Sequence, residues 1–270
     1  MKKIVFIIVF WGLTLFGVSY SHAQRKNICI SDDLSAHSEI LKVKLGVKWN
    51  NRTWKFKFGD YKIAKSKTGW FTTTTKSNLL NTRTESRSKY KFSFLLNDKT
   101  KDTAIVNALN TTSIKALHSF QLFENFYIGD DELIQQADFF SSFITLSSNR
   151  EETWELLIAN TYSKDEESEK IAFLKNGERI IEIIPVSSKD CQKDKRLFPA
   201  LGYEFIENEQ SLCALQYFGG GIVGYKKNII WMRSDLKPKM KLILAAAMTA
   251  IMEIRGPGYI EQLLFGNNTD

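Results

Sequence analysis

Apolar and polar residues alternate with a period of two along much of the chain. Leu41, Val43, Leu45 and Val47 interleave with Lys42, Lys44, Gly46 and Lys48. Trp54, Phe56 and Phe58 interleave with Lys55 and Lys57, and Tyr90, Phe92 and Phe94 with Lys89, Lys91 and Ser93. This alternation, rich in aromatic and β-branched residues, predicts strands that bury one face. Further strands are predicted at 70–75, 103–109, 120–128, 137–146, 153–160, 203–206, 211–218 and 229–232. Gly59-Asp60, Asn97-Asp98, residues 207–209 and Gly219-Gly220-Gly221 supply turns between such runs. Asn176-Gly177, flanked by 171–174 and 179–185, is a hairpin signal, because these residues accept the positive φ of a two-residue turn. Gly129-Asp130-Asp131-Glu132 reads as an acidic loop opening one helical turn through Gln136. Residues 163–170 and 187–195 read as polar connections.

One stretch breaks the pattern. Pro238–Ile254 has helical composition and is apolar on every side; from Leu242 to Met252 the only polar side chain is Thr249. A helix without a polar face must be surrounded. Spanning a bilayer takes about 20 apolar residues and the uninterrupted run is about half that, so protein is the expected surround. Asp235 is the expected N-cap, Pro238 falls in the first turn, and Gly256-Pro257 stops the helix. Lys237, Lys239 and Lys241 stand at the end of the helix where its dipole disfavours cations. About a dozen strands and one such helix predict a mainly β fold. An antiparallel barrel of about twelve strands would enclose or pack on the helix and leave no sheet edge. The alternative is a β-sandwich plus helix, the helix covered by Tyr259, Ile260, Leu263, Leu264 and Phe265 of the tail. No composition shift divides residues 40–255, which read as a single domain after a lead segment, 24–39, and before the tail, 256–270.

The closing order carries a resemblance. Gly202-Tyr203-Glu204-Phe205-Ile206-Glu207-Asn208, then Ser211-Leu212-Cys213-Ala214-Leu215-Gln216, then Ile229-Ile230-Trp231-Met232 feed the apolar C-terminal helix. This resembles the tubby C-terminal-like superfamily, with its scramblase-like and LURP-one-related barrels, and the run from Trp54 to Tyr61 is similar to the early strand and turn of such domains. The resemblance spans about 40–255 and implies a twelve-stranded barrel around a hydrophobic C-terminal helix. None of the family's functional residues matches a position here, and its familiar members are mostly intracellular.

The start of this chain points elsewhere. Met1-Lys2-Lys3, an apolar run over 4–18 and Ser21-His22-Ala23 before Gln24 have the form of a cleaved signal peptide, 1–23, against the alternative of an uncleaved anchor. The expected location is the bacterial periplasm or cell surface. Export makes a disulfide feasible. Of Cys29, Cys191 and Cys213, the last lies mid-strand and reads as a buried core thiol; Cys29–Cys191 is the candidate pair, with three free thiols as the other reading.

Net charge is +7, but it is unevenly spread: residues 42–91 hold fourteen Lys/Arg against only Asp60 and Glu85. Lys55 and Lys57 share one strand face, and Arg87, Lys89 and Lys91 another. Merged on adjacent strands, they are candidates for an anion-binding surface that meets anionic envelope lipid or polysaccharide peripherally, without nucleic acid. The competing reading is a solvated face that guards strands against pairing, or one neutralised by the acidic stretch that follows. No Gly-x-Ser-x-Gly, phosphate-loop, His-Glu-x-x-His or Cys-x-x-Cys motif is present. No cofactor, metal site or catalytic residue is assigned. The remaining candidates for chemistry are a hydrolase using carboxylates near Asp130 or Glu151 (with Glu152 and Glu155 beside it) and His118, and a lipid carrier with an apolar cavity beside Ala245–Ala247. His118 and His37 otherwise read as structural.

Overall fold

The computed structural model describes residues 27–45, 55–69, 71–78, 82–100, 102–118, 120–123, 126–128, 132–164, 169–191, 199–219 and 228–255. The expected signal peptide, residues 1–23, and Trp54, Trp70, Asp130, Asp131, Gly220, Gly221 and the tail from Gly256 lie outside them. A short helix, α1 (Asp32–His37), precedes β1 (Ser38–Lys42), β2 (Lys44–Leu45), β3 (Phe56–Phe58), β4 (Tyr61–Thr68), β5 (Thr72–Ser77) and β6 (Arg83–Asn97). Next come β7 (Thr103–Leu117), a hairpin of β8 (Phe120–Phe123) and β9 (Phe126–Ile128), β10 (Glu132–Leu146) and β11 (Asn149–Ser163). The chain ends with β12 (Glu169–Asn176), β13 (Arg179–Ser187), β14 (Leu201–Glu207), β15 (Gln210–Phe218), β16 (Ile229–Arg233) and α2 (Pro238–Ile254).

The strands form an antiparallel, nearly closed barrel of twelve staves, not a sandwich. β1 and β2 are one extended segment with a break at Val43. Its first half pairs with β16, from Ser38 opposite Arg233 to Lys42 opposite Ile229; its second half pairs with β3. The same segment is therefore both ends of the sheet. β4 and β5 likewise form one stave along β6, interrupted around Gly69.

Helix α2 fills the lumen. Every residue from Leu242 to Ile254 is buried, and β3, β4, β6, β7 and β10–β16 all send side chains into the same core as the helix. Around it stand Phe58, Leu96, Val106, Ile144, Trp154, Leu156, Ile181, Phe205, Leu215 and Ile230, a shell that explains why a helix needs no polar face here. The two polar residues in its buried stretch are satisfied. Thr249 donates to the Ala245 carbonyl at 2.7 Å, and Glu253 accepts from the Tyr90 hydroxyl at 2.9 Å. Ala245, Ala246 and Ala247 are fully buried, which sets how closely the wall approaches.

The helix start differs from expectation. Lys237 is the N-cap and no side chain caps the helix; Asp235 instead holds Arg233, at 3.0 Å. Pro238 at the first position removes one of the N–H groups that would want a cap. Glu132–Gln136 is strand, not a helical turn, and 120–128 is a two-stranded hairpin rather than one strand. The β12–β13 turn is Gly177-Glu178, with Gly177 at φ +54°. The β14–β15 turn places both Asn208 (φ 48°) and Glu209 (φ 64°) in the left-handed region, the geometry that matches the twist of a tight hairpin.

At the helix N-terminal end, Asp102 ties two turns together. It accepts from the Ser147 hydroxyl and the Thr103 N–H, both at 2.8 Å, and from the Ser148 N–H at 3.2 Å. Burial pushes its carboxyl up, but these donors and the Ser148 hydroxyl outweigh it and hold the group below its ordinary value.

Two expectations follow. Ala246→Leu adds bulk where the wall has no room and lowers stability by about 1–3 kcal/mol in denaturant unfolding. Because Asp102 is depressed on folding, its contribution is full above the ordinary carboxylate pKa of about 3.9 and is lost as pH falls through the folded value. The stability gap between wild type and Asp102→Ala, measured by thermal unfolding across pH, should be constant near neutrality and shrink below about pH 4.

Candidate anion-binding face

Along β3 and the second half of β6 the wall alternates: residues toward α2 are apolar, and Lys57 and Lys91 are among those toward solvent. Phe56 and Phe58 are buried while Lys57 between them is exposed, and Lys55 is exposed just before. On β6, Phe92, Phe94 and Leu96 point to the helix, while Arg87, Lys89 and Lys91 are exposed on the other face. The stave between, β4 with β5, joins these two groups. Lys62, Lys65 and Lys67 are exposed, opposite Asn97, Leu95 and Ser93 on the outer face of β6.

The register sets like charges against each other. Lys44 stands directly opposite Lys57, and Lys57 directly opposite Lys62, so three lysines make one rung across three strands. Neighbouring strands lie about 5 Å apart and same-face residues along a strand about 7 Å, so these cations form a close lattice. Among the described residues, no ion pair neutralises the rung, nor Lys65, Lys67, Arg87, Lys89 or Lys91. The carboxylates are used elsewhere: Asp60 pairs with Lys99 at 2.7 Å, Glu132 with Lys164 at 2.6 Å, Glu155 with Lys175 at 3.1 Å and Glu39 with Lys241 at 3.5 Å. Glu85, opposite Lys76, is the acidic residue within the face. Among the described residues, then, no carboxylate of the acidic stretch that follows in sequence is ion-paired with this face.

Lys62, Lys65 and Lys67 belong to this face although strand alternation did not single them out, and so does Lys44, which alternation placed on a strand without making it a binding candidate. A bulge at Ala64 puts Lys62 and Lys65 on the same side despite their odd spacing. Next to the face, across β7, the pattern changes again. Lys89 is opposite Thr111, and Thr111 is opposite Phe139 of β10. Phe139 and Phe143 point outward and are 45% and 50% exposed, far more than a strand needs to satisfy its core.

Among the described residues, the other candidate groups are not assembled for catalysis. His118 is exposed, with its Nε2 and the Thr84 hydroxyl 2.8 Å apart, at the end of β7 near the start of β10. Glu151 lies by the opposite end of β7, about 45 Å along the strand, so those two cannot act on one substrate. Glu152 accepts from Trp154 Nε1 at 2.9 Å and Asn149 Nδ2 at 3.1 Å, and Glu155 is in its ion pair. His37 holds Asp33, four residues before it on α1, with 3.0 Å between the ring nitrogen and the carboxylate. Among the described residues no group of three or more His, Cys, Asp or Glu could hold a metal ion. Cavities that touch α2 beside Thr249 and Glu253, and beside Ile254 and Arg255, have room for about one water molecule each, too little for an acyl chain. Among the described residues no helix is long and apolar enough to cross a membrane.

Comparison with known protein families, with curated proteins and with solved structures finds no match.

The like-charge rung has a measurable cost. Replacing the central lysine, Lys57→Gln, should raise stability at low salt by roughly 0.2–1 kcal/mol, and the gain should fade near 1 M salt, where charges are screened within about 3 Å. Chemical denaturation in urea at the two salt concentrations checks both parts.

Proposed function

We propose that this is an exported, non-catalytic binding protein of the bacterial cell envelope, whose basic β2–β6 face docks on an anionic envelope component. The observation that carries the reading is the lysine rung: Lys44, Lys57 and Lys62 are kept opposite one another, exposed and, among the described residues, without an ion-pair partner, although such pairing disfavours folding. Lysine on a strand's outer face also protects unpaired edges, but Lys57 and Lys62 have a partner strand on each side. Closely spaced phosphates or carboxylates would relieve the repulsion. Lys residues serve as point charges there, while Arg87 can grip one oxyanion with two hydrogen bonds. Exposed Phe139 and Phe143, two strands from Lys89, favour a lipid surface over a soluble acidic polysaccharide, since only the former offers apolar depth. The twelve-stave wall around a C-terminal apolar helix supports membership of the tubby C-terminal-like barrels, and the amino-terminal pattern of residues 1–23 supports export.

The test is co-sedimentation of the protein, purified after export, with phosphatidylglycerol vesicles, phosphatidylcholine vesicles and soluble alginate, each at low and high salt. Binding should be confined to anionic partners and weaken with salt. Each lysine near an anionic surface contributes about 1 kcal/mol, so reversing Lys55, Lys57, Lys89 and Lys91 to Glu should lower vesicle affinity at least about 100-fold. Phe139→Ser with Phe143→Ser should weaken vesicle binding and leave alginate untouched. No binding to either polyanion at low salt would end this reading.

A further inference from the structure

We infer that the lead segment, residues 27–37, is a strap locked by a disulfide and released by a dithiol, with the barrel beneath it left folded. The segment takes no part in the sheet. It crosses the outer faces of β13–β16, where Ile28 and Leu34 are buried against Val186, Ala200, Ala214, Ile229 and Trp231 in a small core separate from the one around α2. No residue of 27–37 belongs to the α2 core. The strap therefore contributes no side chain to the packing around α2.

The seat is built to receive an extended chain. Ile28 N–H donates to Gln216 Oε1 at 3.0 Å, Cys29 N–H to the Ser187 carbonyl at 3.2 Å and Ser31 N–H to Glu204 Oε1 at 3.1 Å. Gln216 and Glu204 are almost wholly buried beneath it, and Ser211 Oγ donates to Glu204 at 2.6 Å, fixing that carboxylate. A Cβ on Gly202 would stand 2.7 Å from Ile28 Cδ1 and 2.2 Å from the Leu215 carbonyl oxygen, so β14 is bare where the strap passes. At its far end Asp33 is ion-paired with Arg233, and that pair holds the Asp33 carboxyl below its ordinary value.

Two buried side chains, a partly buried Ile30, one ion pair and a few hydrogen bonds are a small return for ordering so many residues. The covalent tie supplies the difference. Cys29 is joined to Cys191 with their Cα atoms 5.6 Å apart. Cys191 is exposed in the turn after β13, so a solvent thiolate can reach it. One thiolate of a dithiol attacks Cys191 Sγ, the Cys29–Cys191 bond breaks and Cys29 leaves as thiolate. The second thiol of the reductant then displaces Cys191, leaving a cyclic disulfide on the reductant and two protein thiols. Cys213 stays outside this exchange, fully buried, with its thiol pushed well up by burial.

Amide hydrogen exchange of the full exported protein, before and after dithiol treatment, tests this. Reduction should cost the amides of Ile28, Cys29 and Ser31 about 100-fold or more in protection while the amides of 242–252 in α2 keep theirs. Cys29→Ser with Cys191→Ser should behave like the reduced protein. Should that variant not fold, reduction of the folded wild type carries the test alone. Unchanged protection of 28–31 after reduction would show that packing holds the segment and overturn the inference. So would parallel loss of protection in α2, which would make the disulfide a support of the whole barrel.

Discussion

A helix without a polar side has to be enclosed, and nearly everything else here answers that demand. From Leu242 to Met252 there is no face to offer water, so the wall must be continuous around it. A sandwich would cover two sides. The barrel covers all of them, and it does so by making one segment, β1 with β2, serve as both the first and the last neighbour in the ring. The energy is ordinary apolar burial, but the geometry is strict: small residues at 245–247 let the staves come close, while Thr249 and Glu253 find partners before they are shut in.

With the inner face so constrained, diversity is left to the outside, and the two sides of the barrel use it differently. β14–β16 are buried on both faces, inside by α2 and outside by the lead segment, and their sequences read as near-continuous apolar runs. β3, the start of β4 and the second half of β6 are covered by the core on one face only, and lysines stand on the other. The same fold thus presents a sheathed side and a charged side, with Phe139 and Phe143 on β10 beyond the charged one.

Strand alternation was legible wherever one face meets the helix: Phe56 and Phe58, Phe92 and Phe94, Ile144 and Leu146 all declare themselves. It failed where strands outrun the helix. Arg83–Ser88, the second half of β7 and the first half of β10 have no buried residue, because among the described residues no core lies alongside them, and so carry no period of two in hydrophobicity. That is why Glu132–Gln136 reads as a helical turn and is strand. The basic face was legible as a charge imbalance, but its layout was not. The rung of Lys44, Lys57 and Lys62 depends on register between strands separated by loops, and the alignment of Lys62 with Lys65 depends on a bulge. Asp235 looked like a cap for α2 from spacing alone, whereas Arg233 two residues earlier competes for its carboxylate and wins.

The double role of β1 and β2 also governs when the chain can fold. Ser38 pairs with Arg233, so the ring cannot close until nearly the whole polypeptide has been made, and its filling, α2, is synthesised later still. Contacts of such long sequence separation form slowly. Until the ribosome reaches the end of the chain, the earlier staves have neither a closing partner nor a core to wrap. A nascent chain in that condition can pair neighbouring hairpins but cannot complete the barrel, which leaves the finished fold until after any passage through a narrow channel.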